Sequence, residues 1–294
     1  MKPTLPLIVV GAALAACTVG PFAPTPTPTA TPVPTPTPEP LAAVVDGDGI
    51  LLADYQAEVS RFEAAQALLG TDLASLGDYR SRVLQALIDR LLLAHGAEAT
   101  GHTFDQAAAE AELEAVAEAR GGNEAMGAWM AENNYSVESL LRALQEDSLS
   151  ATMIADIAGS VGESADQVRA AHILVTSRSE AEALQAELAA GADFAELARL
   201  NSLDASTRPA GGDLGWSPRG YLLVPEVDQA LWDMAAGETS EILESALGYH
   251  IVRVLERGEH PLGPDARRFV REQSVVAWLA GRRAEAAIEI LVAP

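Results

Sequence analysis

The chain has 294 residues, 49% hydrophobic but only 5% aromatic, and carries a formal net charge of −23. That length predicts about two domains, with ample apolar material for their cores. Lys2 is the only lysine, and so acidic a chain repels phosphate backbones and anionic lipid headgroups, which excludes nucleic acid as a partner.

The first element is an address. MKPTLPLIVVGAALAAC places Lys2 before an apolar run from Leu5 to Ala16. The run is shorter than the ~20 residues of a bilayer span and fits a secretory signal with small residues before the cut. Cys17, the only cysteine, directly follows Leu14-Ala15-Ala16, so no disulfide can form within the monomer. The stretch resembles the lipobox of bacterial lipoproteins. The resemblance implies that residues 1–17 are a lipoprotein signal and that Cys17 is the lipidation site. A stable membrane anchor would then need more than one acyl chain. The alternative is a secreted protein with an incidental cysteine. PFAPTPTPTATPVPTPTPEP follows; its alternating prolines forbid helix and remove ladder donors. Residues 18–41 therefore read as a Pro/Thr-rich tether, whose run from Pro21 to Pro40 is extended at ~3.1 Å per residue to a reach of about 60 Å.

Residues 42–162 read as a mostly helical, chaperone-like domain. VVDGDGI predicts a short strand with a turn at Asp46-Gly47-Asp48-Gly49. Apolar residues at Val59, Phe62, Ala65 and Leu69 have helical spacing, and so do Val83, Leu87, Leu91 and Ala94. AAAEAELEAVAEARGG ends in a glycine pair. Two more helices follow from Asn123, the second capped by Ser136 after a break at Asn133-Asn134. His95 and His102 fall near a helix end and in the loop after it, and read as surface or capping residues.

Residues 166–258 change character. VRAAHILV is a strand apolar on both faces. SEAEALQAELAAG has Ser179 and Glu182 in capping-box spacing, and DFAELARL repeats that spacing with Asp193 and Glu196. GGDLGWSPRG is irregular and glycine-rich. VPEVDQALWDMAAG predicts a helix from Pro225 with Gly237 at its end. SEILES and YHIVRVLER close as strands. The order β-α-α-β-α-β-β predicts a compact α+β domain. His260 falls in a linker beyond it. Residues 261–294 then predict a helix carrying Phe269, Val276, Leu279 and Ala286, and a strand AIEILV beside Val44-Val45. The α+β domain is thereby inserted into a helical domain built from N- and C-terminal segments, an α+β fold class overall.

Side chains alternate along a strand, so His172 shares a face with Ala170 and Leu174, and His250 with Val252 and Val254. On neighbouring strands the two rings would share one face. A buried imidazole needs a partner at each nitrogen, and Asp204 and Ser245 are the candidates. From the residues alone, metal binding by His172, His250 and Asp204 lacks a recognised ligand spacing. Hydrolysis by a triad lacks a serine in GxSxG. A pair of core histidines that satisfy each other stays open.

The run VRAAHILV…DFAELARLNSLD…GGDLGW…VPEVDQALWDMAAGETS…GYHIVRV resembles the parvulin family of peptidyl-prolyl isomerases. With its flanks, the whole chain resembles extracytoplasmic foldases of the PrsA and SurA type. The resemblance implies that His172, His250, Asp204 and Ser245 form the active-site network and that Leu214, Leu223 and Val227 bind the proline. Val227 stands where the family usually has phenylalanine; Tyr221 and Trp232 are the residues that could fill the gap. The resemblance implies no cofactor and no metal. Its implied partners are unfolded exported polypeptides containing X-Pro bonds, with the membrane reached through the lipid anchor. A non-catalytic holdase with a peptide-binding parvulin-like domain is the alternative.

Overall fold

The structure is a computed structural model that describes residues 39–292. Cys17, the signal and most of the tether lie outside those residues. Strands β1 (Leu41–Val45) and β2 (Asp48–Leu51) pair antiparallel with Val45 opposite Asp48. Asp46 and Gly47 form the two-residue loop, both at positive φ (52° and 101°). This primed turn matches strand twist, and it is tighter than the four-residue turn read from the sequence. Asp48 and Gly49 belong to β2.

The helices α1 (Leu52–Leu68), α2 (Tyr79–Ala99), α3 (Gln106–Ala119), α4 (Asn123–Glu132) and α5 (Val137–Ser160) follow. Ser136 caps α5 through the Ser139 N–H, and the Ser139 hydroxyl answers to the Ser136 N–H. His95 and His102 pair with Asp48 and Asp156. The chain's last helix, α9 (Pro264–Glu285), returns to this region and ends in β7 (Ile288–Ile290). β7 pairs with β1 in the order β2-β1-β7, with Val44 opposite Glu289. Trp278 of α9 packs against Leu93, Ala97, Leu149 and Met153. Its indole lies where a side chain on Gly96 would be: a Cβ there would meet Trp278 Cζ2 at 2.6 Å. Among the described residues no helix is long and apolar enough to cross a membrane.

Between α5 and α9 runs β3 (Ser164–Val175), α6 (Arg178–Ala189), α7 (Phe194–Asn201), β4 (Asp213–Pro218), α8 (Pro225–Asp233), β5 (Leu243–Ser245) and β6 (Gly248–Pro261). The strands form one antiparallel sheet in the order β4-β3-β6-β5. Helices α6 and α7 cover one face through Ala181, Leu184, Phe194, Leu197 and Ala198. Helix α8 packs on the other face, with Val227 and Leu231 against Val168, Ala170, Val252 and Val254.

Several local readings are corrected. The capping box of α6 is Ser177 with Glu180, two residues before Ser179 and Glu182, because β3 stops at Val175 and the helix starts at once. Helix α8 ends at Asp233 rather than Gly237; the Gly237 N–H instead donates to the Val254 carbonyl. The strand that the order β-α-α-β-α-β-β expects between α7 and α8 is β4, within GGDLGWSPRG and bulged at Leu214, where Ala170 pairs with Gly215 and Ala171 with Asp213. His260 is no linker residue. β3 and β6 stay paired out to Ser164 and Pro261, and the His260 ring stacks on Trp216 at 4.3 Å.

Candidate active site

The register of β3 and β6 sets Leu174 opposite His250 and His172 opposite Val252. Cross-strand partners share a face, so the two histidines are diagonal neighbours on the α8 side of the sheet. Their ring centroids stand 5.9 Å apart with planes 27° from parallel. The His172 backbone N–H donates to the Gly212 carbonyl. Gly212 has φ 80°, and a Cβ there would lie 2.2 Å from the His172 carbonyl oxygen. Glycine is required at that close approach.

Asp204 sits on the turn after α7. The buried Ser202 hydroxyl holds that turn to β3, accepting from the Leu174 and Asp204 N–H groups. Asp204 Oδ2 lies 2.8 Å from His172 Nε2 and 2.6 Å from the Thr207 hydroxyl. Oδ1 accepts from the Ser206 N–H at 3.0 Å and from its hydroxyl at 2.6 Å. An ionised carboxylate only accepts, so His172 Nε2 carries its proton towards Asp204. Burial alone would raise the Asp204 carboxyl. Hydrogen bonds from Ser206, Thr207 and His172 outweigh burial and hold it well below the usual carboxylate range. The site thus keeps a fixed negative charge near neutral pH.

His250 is 1% exposed. Its Nε2 lies 2.8 Å from Ser245 Oγ across the β5–β6 hairpin. Its Nδ1 is buried and makes no hydrogen bond within the described residues. Burial, then the charge of His172, push His250 below its ordinary value, against a smaller opposing pull from Glu226. A neutral ring suits a site with a single polar partner.

Both histidines and Asp204 face a cavity of about 320 Å³. Leu174, Leu214, Leu222, Val224 and the buried Val227 complete most of its lining. Leu247 and Leu223 stand at the mouth, 65% and 99% exposed. Of the residues singled out from the sequence, His172, His250, Asp204, Leu214, Leu223 and Val227 meet in this one cavity, and Ser245 stands behind His250 outside the lining. Neither Tyr221 nor Trp232 lines the space beside Val227. Tyr221 stands edge-on to Phe269 at 5.4 Å, and Trp232 lies under the guanidinium groups of Arg219 and Arg257. Sequence reasoning missed Leu222, Val224, Leu247, Ser202, Ser206 and Thr207. For Ser206 and Thr207 a signal existed: Asp followed closely by Ser and Thr is an Asx-turn pattern. Among the described residues no group of three His, Cys, Asp or Glu side chains is placed to hold a metal ion. The arrangement is an apolar slot over a polar floor with one fixed charge.

The family model for the PPIC-type PPIase, or rotamase, domain matches residues 166–256. The chain is 36% identical over 147 residues to a protein named Chaperone SurA from Saccharophagus degradans, covering 43% of this chain and 34% of that one. It is 38% identical over 93 residues to Foldase protein PrsA from Exiguobacterium sibiricum, covering 32% of this chain and 31% of that one. The solution structure of the parvulin domain of PpiD from E. coli is 32% identical, covers 31% of this chain and 88% of that one, and aligns with a TM-score of 0.29. The matches span about a third of the length of these curated relatives. Residues 166–256, which hold the two histidines and the apolar slot, are a domain of the PPIC-type peptidyl-prolyl isomerase family.

Proposed function

We propose that the chain is a lipid-anchored, extracytoplasmic peptidyl-prolyl cis-trans isomerase that assists the folding of exported proteins. The observation that carries the reading is the convergence of His172, His250 and Asp204 beneath one apolar cavity. Rotation about an X–Pro bond meets a barrier of ~18–20 kcal/mol set by amide resonance, and unaided it takes tens to hundreds of seconds. No bond to carbon is made or broken, so the protein's task is to hold the ring and shape the field around the amide.

In this reading Leu214, Leu222, Val224 and Val227 grip the prolyl ring. The slot strips water from the preceding carbonyl. That carbonyl is most polar in the planar, charge-separated form, so dry apolar surroundings favour the twisted amide. A fixed Asp204 carboxylate nearby disfavours negative charge on the carbonyl oxygen in the same sense. His172, oriented by Asp204, and neutral His250, oriented by Ser245, form the floor against which the amide turns. Each ~1.4 kcal/mol removed from the barrier is a tenfold gain in rate.

Outside the described residues, the lipobox-like segment, Cys17 as lipidation site and the Pro/Thr tether support placement on the outer side of a bacterial membrane. Exported chains arrive there unfolded, and slow prolyl steps limit their folding. The tether would raise the local concentration of the isomerase at that surface. In the domain arrangement we favour, residues 42–162 and 261–294 form the chaperone-like body and 166–258 the inserted isomerase. A non-catalytic holdase is the second reading, favoured by Val227 in place of the family's usual phenylalanine.

A protease-coupled isomerisation assay on a Leu-Pro tetrapeptide separates the two. Turnover that Asp204→Ala and His250→Ala abolish supports the isomerase. Inactive wild-type protein that still suppresses aggregation of an unfolded client establishes the holdase.

A further inference from the structure

Leu222, Leu223 and Val224 form one wall of the slot; Tyr221 before them in the same segment packs edge-on against Phe269, but the three wall side chains themselves are weakly anchored. Leu223 is 99% exposed, and Leu222 and Val224 pack only partly against the α8 core. The segment leaves β4 through a turn in which the Tyr221 N–H donates to the Pro218 carbonyl. Gly220 sits at φ 80°. Inside the bend lies the carboxylate of Asp228, itself 8% exposed. Its Oδ2 accepts the Gly220 N–H at 2.8 Å, and its Oδ1 accepts the Leu222 N–H at 3.3 Å. Asp228 follows Val227 directly on the first turns of α8. Val227 lines the slot while its neighbour holds the opposing loop.

A second cavity, of about 370 Å³, lies behind this wall and is bordered by Leu222, Asp228 and Arg219. Leu222 therefore separates two spaces, and packing alone does not fix its position. Backbone N–H groups in such a place need acceptors, and hydrogen bonds to a carboxylate are roughly twice as strong as neutral ones. We infer that Asp228 is a positioning residue for proline binding: it fixes the Leu222–Val224 wall at the width of a prolyl ring without touching the substrate. The inference rests on the isomerase reading for its substrate, a peptide with an X-Pro bond.

The test is steady-state isomerisation of a Leu-Pro tetrapeptide by the full chain and by Asp228→Ala and Asp228→Asn. Asn keeps the shape and one acceptor oxygen, so it preserves the fold while releasing one of the two N–H groups. The expected result is a KM raised about tenfold in Asp228→Ala and by an intermediate factor in Asp228→Asn, with kcat held within about twofold. A lowered melting temperature with unchanged KM would overturn the inference, as would a fall in kcat at constant KM. If wild-type protein shows no turnover, the isomerase reading fails on its own. The same peptide titrated against the amide resonances of Leu222 and Val224 then decides. Weaker binding by Asp228→Ala sustains the positioning role, and equal binding removes it.

Discussion

Ser245 Oγ stands 2.8 Å from His250 Nε2, and among the described residues no other polar group bonds to that ring. Ser245→Ala therefore leaves both nitrogens of a buried imidazole without a partner. The expected costs are ~1–3 kcal/mol of stability and a fall in kcat/KM of about tenfold as the ring loses its orientation. Urea unfolding and the isomerisation assay measure the two effects. Ser245→Thr keeps the hydroxyl and should restore most of both.

Asp204 gives the acid limb of stability. Its carboxyl is held below the ordinary value in the folded chain, so the unfolded chain binds its proton first as pH falls. The stabilisation is fully present above the unfolded value of ~3.9 and is lost as pH drops through the lower folded value. Asp204→Asn removes the charge while keeping the shape. It should be less stable than wild type at pH 7 by ~2 kcal/mol, with the difference shrinking in strong acid. Denaturant midpoints from pH 7 down to pH 2 check this. A constant difference across that range would contradict it.

Gly96 reports on where the C-terminal helix docks. Alanine is the better helix former by ~1 kcal/mol, so on an isolated α2 the change Gly96→Ala would stabilise. Here the new Cβ would lie 2.6 Å from Trp278 Cζ2 and 3.3 Å from Met153 Sδ. The expected outcome is destabilisation by ~1–3 kcal/mol, seen as an earlier urea midpoint. Pairing Gly96→Ala with Trp278→Ala should remove most of that penalty.

Val227 is buried and lines the slot. Among the described residues no Phe, Tyr or Trp side chain lines that slot. Val227→Phe would supply one within the open volume. The expected effect is a KM about threefold to tenfold lower for a Leu-Pro peptide. A higher KM would mean that the added ring occupies the slot itself.

The paired histidines are legible because two apolar strands carry one imidazole each and side chains alternate in direction along a strand, so a neighbouring pair of strands in the observed register sets both rings on one face. Ser245 is legible as a hydroxyl five residues before His250. The caps at Ser136 and Asp193 followed from short-range chemistry, and both side chains accept the N–H three residues on. The lining residues Leu222, Val224 and Leu247 are not legible, because they sit in turns and loops where no periodicity marks a side chain that meets the slot. The far end of β6 was missed for a related reason. GEHP carries no apolar alternation, and its pairing with Ser164–Gln167 is set by the partner strand rather than by a hydrophobic pattern. The Gly96–Trp278 contact joins residues distant in sequence and left no local trace.

The most direct test of the central claim is exchange NMR on a Leu-Pro tetrapeptide with a catalytic amount of the protein. The expected result is cross-peaks between cis and trans prolyl resonances that appear with wild-type protein and vanish with Asp204→Ala. Absence of exchange at stoichiometric protein, while the Leu222 and Val224 amides shift on peptide binding, would contradict it and leave a domain that holds proline without turning it.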